Sequence, residues 1–116
     1  MKTVVFSIQT FDQALSDFAD AWKTGESGGA ARIGFATWEL MHKVLSPKRL
    51  EIVRAMTGAG PLSIREIARR VGRDFKGVHS DVTMLLNAGV IDRDERGRFV
   101  FPYDRIHVDF EIPAAA

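Results

Sequence analysis

At 116 residues with no cysteine, the chain is sized for one domain and offers no disulfide, thiolate metal ligand or thiol nucleophile. A hydrophobic share of 46% and a charged share of 27% exclude global disorder, and the early apolar run Val4-Val5-Phe6 is too short for a membrane span or signal-peptide core. The net charge of +1 hides an asymmetry: residues 47–101 carry eleven Lys/Arg against seven acids, while residues 1–46 and 102–116 are net −1 and −2. These features lead us to expect a soluble cytoplasmic domain whose centre attracts polyanions.

Thr3 to Ile8 reads as a short strand rich in β-branched residues. Thr10-Phe11-Asp12-Gln13 fits a capping box that opens a helix, in which Phe11, Leu15, Phe18 and Trp22 recur at spacings of 4, 3 and 4. Gly25-Glu26-Ser27-Gly28-Gly29 is a flexible connector. Arg32 to Ala36 is extended, and Thr37 opens a short helix with Trp38, Met41 and Leu45 on one side. Ser46-Pro47 is an N-cap followed by proline at the first helical position. Leu50, Val53 and Met56 are expected on the inner face of that helix, with Gly58 at its end.

Ser63-Ile64-Arg65-Glu66 is a second capping box, and Gly72 stops the helix after about two turns. Asp74 caps the next helix, with Val78, Val82, Leu85 and Leu86 facing inward and Gly89 ending it. Val90-Ile91 and Phe99-Val100-Phe101 bracket Asp94-Glu95-Arg96-Gly97 as a β-hairpin. Ile106, Val108, Phe110 and Ile112 alternate with polar residues in a half-buried strand. The fold class expected is α+β: a mostly helical winged helix-turn-helix with a C-terminal hairpin wing, plus short N- and C-terminal strands. The divisions are an extension at 1–44, the winged helix-turn-helix at 45–103 and a strand and tail at 104–116.

In such an arrangement the helix from Asp74 lays its N-terminal half in the major groove of double-stranded DNA. With Val78, Val82 and Leu85 buried, its outer face carries Lys76, Gly77, His79, Ser80 and Thr83. Lys76 reaches a phosphate or a guanine edge, Ser80 and Thr83 bond bases or phosphates, and Gly77 permits close approach. Arg65, Arg69 and Arg73, with Arg96 and Arg98 from the wing, are candidate phosphate contacts. Asp81 would repel DNA if exposed, so it either turns inward toward Arg69 or Arg70 or reads a cytosine amino group.

The runs Leu45-Ser46-Pro47-Lys48-Arg49-Leu50, Leu62 to Ala68, Val78 to Val82 and Leu85 to Ile91 resemble the MarR/ArsR-like winged-helix regulators. Within that superfamily the likeness is closest to a group of small archaeal and bacterial DNA-binding proteins, and it covers about residues 45–105. The resemblance implies a dimeric transcriptional regulator, with some relatives accompanying small toxin genes as antitoxins. The chain departs from the metal-sensing members, having no cysteine and only scattered histidines.

No catalytic residue, cofactor site or metal site is expected. Gly58-Ala59-Gly60-Pro61 lacks the Lys-Ser/Thr of a phosphate loop, and no nucleophile-elbow serine is present. His42, four residues after Trp38, reads as a packing or capping residue. The aromatic stripe reads as core or dimer packing ahead of an effector pocket. The terminal strands each present an edge, to pair within one chain or across a two-fold axis. The leading reading is therefore a homodimeric repressor on DNA; the alternative is an antitoxin that neutralises a partner through residues 1–46. A ligand-responsive regulator is a third variant.

Overall fold

The computed structural model describes residues 2–9, 11–24, 31–112 and 114. In chain order its elements are β1 (Thr3–Ile8), α1 (Phe11–Thr24), β2 (Ala31–Phe35), α2 (Trp38–Val44) and α3 (Pro47–Met56). There follow α4 (Ile64–Val71), α5 (Phe75–Asn87), β3 (Asp92–Arg93), β4 (Phe99–Val100) and β5 (Arg105–Asp109). The class is mixed α and β. The Thr10 cap and the 25–29 connector lie outside the described residues.

The long strands form a parallel sheet in the order β2-β1-β5. Parallel neighbours need a crossover, which α1 supplies between β1 and β2. Between β1 and β5 the whole helical region intervenes. Of the two pairings open to the terminal strands, the structure has the one within the chain: β1 is the central strand, paired on both sides. Asp104 locks the two ends together, its carboxylate accepting from the Lys2 N–H at 2.9 Å and its own N–H donating to the Lys2 carbonyl at 2.7 Å.

The register sets Val4 beside Ala31 and Ile106, and Phe6 beside Ile33 and Val108. Val4 and Phe6 are fully buried, and Phe6 meets Phe35 and Phe101 edge-on with centroids 6.2 and 6.3 Å apart. One contiguous core joins this sheet face to Met41 and Val44 of α2, Ile52, Val53 and Met56 of α3, Ile67 and Ala68 of α4, and Val78, Val82 and Leu85 of α5. Leu50, expected inside, is 40% exposed because Ile52 takes its place; positions 52, 53 and 56 are adjacent on the α3 surface and position 50 lies to one side of them.

The start and stop signals act as their chemistry demands. Ser46 accepts from the Arg49 N–H with Pro47 at the first helical position, and both bonds of the Ser63/Glu66 capping box are present. Gly72 ends α4 at φ 69° and Gly97 turns the β3–β4 hairpin at φ 77°, left-handed conformations that cost a side chain-bearing residue dearly. The aromatic stripe of α1 is not core: Leu15, Phe18 and Trp22 are 53%, 70% and 82% exposed. Trp38 instead stacks on Phe110 and meets His42 edge-on, which gives His42 the packing role expected of it. Among the described residues no helix is long and apolar enough to cross a membrane.

Candidate nucleic-acid interface

Helices α3, α4 and α5 pack on one another, with α4 and α5 joined by the tight turn at Gly72-Arg73-Asp74. The Asp74 carboxylate accepts from the Gly77 N–H at 2.9 Å and starts α5. With Val78, Val82 and Leu85 fully buried, helical periodicity puts Lys76, Ser80, Thr83 and Asn87 in one row on the opposite face, and all four are exposed. His79 flanks this row and stacks on Phe75, itself half exposed, with centroids 6.0 Å apart. The Thr83 hydroxyl donates to the His79 carbonyl at 2.8 Å. Its proton is thereby committed, and Thr83 faces outward as a hydrogen-bond acceptor.

Asp81 turns inward, but its partners are not those anticipated. Arg49 Nη1 reaches Asp81 Oδ1 at 3.2 Å and Arg73 Nη2 reaches Oδ2 at 2.8 Å, in place of Arg69 or Arg70. Arg49 also donates through Nε to the Val44 carbonyl at 2.7 Å and through Nη2 to the Lys43 carbonyl. One guanidinium from the start of α3 thus satisfies the open end of α2 and holds α5. The sequence reading missed Arg49, whose partner lies 32 residues away.

This network revises two assignments. Arg73, expected on a phosphate, commits one amino group to Asp81 and is only 23% exposed; its Nη1 is buried with no hydrogen-bond partner. Gly77, expected to allow close approach by DNA, has an internal reason for lacking a side chain. A Cβ there would stand 3.1 Å from Asp74 Oδ1 and 3.2 Å from Arg73 Nη2. Arg65 and Arg69 lie four residues apart on the outer face of α4, both exposed and neither in an ion pair with a described carboxylate.

In the hairpin the Asp94 carboxylate accepts from the N–H groups of Arg96 and Arg98 at 3.0 and 2.8 Å, tying the turn from within. Arg98 also pairs with Asp94 at 3.5 Å and is 41% exposed, while the Arg96 side chain at the tip is exposed without such a partner. Arg93, not singled out from sequence, lies over the Phe99 ring at 5.2 Å and donates to the Gly97 carbonyl.

The sequence model of the HVO_A0114 family matches residues 44–108, more than half of the chain. The protein belongs to the HVO_A0114 family. No curated protein and no solved structure matches the chain. The HVO_A0114 segment runs from the last residue of α2 into β5, so it takes in the Arg49–Asp81–Arg73 network, the outer row of α5 and the hairpin, and leaves α1 outside.

Within the HVO_A0114 segment three carboxylates are held below their ordinary values by backbone donors. Glu66 is lowered by the Ser63 N–H, Asp74 by the Gly77 N–H and Asp94 by the Arg98 N–H. Each acid that begins α4 or α5 or ties the hairpin is therefore engaged with its own backbone, as Asp81 is with two arginines. Among the described residues no three His, Asp or Glu side chains are grouped to hold a metal ion.

Proposed function

We propose that this protein is a sequence-specific, DNA-binding transcriptional regulator of the cytoplasm, a non-enzymatic repressor that acts as a dimer. In this reading α4 and α5 form a helix-turn-helix and the β3–β4 hairpin its wing. Lys76, His79, Ser80 and Thr83 read the major groove, and Arg65, Arg69, Arg96 and Arg98 grip phosphates. Arg73 acts chiefly from within, by neutralising Asp81. Two copies on a pseudo-palindrome address half-sites about 34 Å apart or a multiple of that.

One observation carries the reading. The only acid of α5 is folded inward and paired with two arginines, which leaves the outer row from Lys76 to Asn87 free of negative charge. The pairing joins α5 to α2 and α3 and at the same time leaves an outer face suited to a polyanion. The test is a gel shift on fragments selected from random duplexes, with Lys76→Glu as the variant. Lys76 is exposed and outside the core, so binding is lost while the thermal melt holds. Undiminished binding by the variant would reject the placement of α5 in the groove.

A further inference from the structure

We infer that α1 is the seat of a second copy of this chain, packed antiparallel against its counterpart across a two-fold axis. The inference rests on the dimeric part of the reading above and not on its DNA-binding part. α1 is fourteen residues long, and every described side chain on it is exposed. A helix of that length is marginal in water unless an apolar face is covered. Leu15, Phe18 and Trp22 form such a face and leave it bare.

Three features favour a copy of the same chain as the occupant. The first is area. Given their exposures, Leu15, Phe18 and Trp22 of two copies bring together about 900 Å2 of apolar surface, over half of a standard interface of roughly 1,600 Å2. The second is self-complementarity. The stripe 11, 15, 18, 22 is spaced 4-3-4, so an antiparallel two-fold centred between 15 and 18 lays it along its own copy. Antiparallel alignment then sets position 15 against position 18 of the second copy and position 11 against position 22. The third is charge. Helical periodicity gives positions 12 and 23 the same flank near opposite ends of the helix, so the antiparallel pair brings position 12, an aspartate, toward position 23, a lysine, of the second copy.

The absence of cysteine makes the geometry directly testable. Full-length chains carrying Leu15→Cys are mixed with chains carrying Phe18→Cys and oxidised. The antiparallel register yields mainly the mixed 15–18 disulfide; predominance of 15–15 and 18–18 products would overturn it. In parallel, sedimentation of the wild-type chain at tens of micromolar gives a dimer, and Phe18→Glu/Trp22→Glu gives a monomer with an unchanged melt of the Phe6–Phe101 core. A monomeric wild type overturns the second copy and leaves the face to a different protein; a dimeric double variant places the dimer contact elsewhere. Neither readout involves DNA, so failure of the DNA-binding reading leaves these results unaltered, and failure here leaves single half-site binding intact.

Discussion

Asp81→Asn is the substitution on which the interior of the proposed DNA-binding unit turns. It keeps the volume and one carbonyl oxygen but removes the charge that faces Arg49 and Arg73. The three side chains are 15%, 17% and 23% exposed, nearer to a buried cluster than to a surface pair. Surface pairs contribute about 0–1 kcal/mol, whereas a buried pair that loses one partner costs about 3–5 kcal/mol, because a charge stays desolvated without its counter-ion. The residual exposure and the retained oxygen bring the loss to about 2–3 kcal/mol. For a domain of this size that lowers the melting temperature by about 10 °C.

The same change acts on DNA in the opposite direction. Removing Asp81 raises the formal charge from +1 to +2 and releases the Arg73 head group beside the α5 N-terminus. Below the melt, affinity for arbitrary duplex rises and the log–log salt slope steepens by about one phosphate contact. Thermal melts and fluorescence anisotropy at several salt concentrations measure both effects. Adding Arg49→Met to the variant should cost less than it does in the wild type, since its partner is already gone. An unchanged melting temperature together with weaker binding would refute the argument and put the carboxylate on a base.

The remaining predictions concern local devices. Ser63→Ala removes half of the capping box and lowers unfolding stability by about 1 kcal/mol in urea titration. Gly77→Ala at an open helical site would gain about 1 kcal/mol, but here the new methyl presses on the Asp74 cap and on the Arg73 guanidinium, so denaturation should show no gain or a loss. Glu66, Asp74 and Asp94 have lowered pKa values when folded, so their contribution is complete above the ordinary carboxylate range and is lost as pH falls through the lowered values. Melts at pH 7 and 5 should therefore coincide and drop below about pH 4, with Asp94→Asn reducing the drop.

What the sequence discloses and what it conceals divide along physical lines. Ser46, Ser63, Asp74, Gly72 and Gly97 act within four residues of themselves, so their roles follow from spacing alone, and the boundaries of α3, α4 and α5 follow with them. The alternation of Ile106 and Val108 shows a strand but is silent on its partner; that β5 lies parallel to β1 depends on contacts a hundred residues apart. Arg49 is invisible for the same reason, as one of many exposed-looking cations until α2, α3 and α5 converge on it. The stripe of α1 is legible as a pattern, yet periodicity does not say whether an apolar face is covered by its own chain, and here it is not.

The two halves of the functional reading are linked along the chain. β1 and β2 flank α1 in sequence, and β2 leads through Thr37 into α2, whose last carbonyls are held by Arg49. Arg49 in turn holds Asp81 on α5. In the proposed dimer the path from β2 to α5 runs through this ionic link, which spans the edge of the HVO_A0114 segment at residue 44. Loosening the link at Arg49, with the α1 contact left intact, keeps the dimer and relaxes the spacing between half-sites. The preference for one operator length should then weaken before the affinity for a single half-site does, because spacing depends on the whole chain of contacts and half-site binding only on the outer faces of α4, α5 and the hairpin.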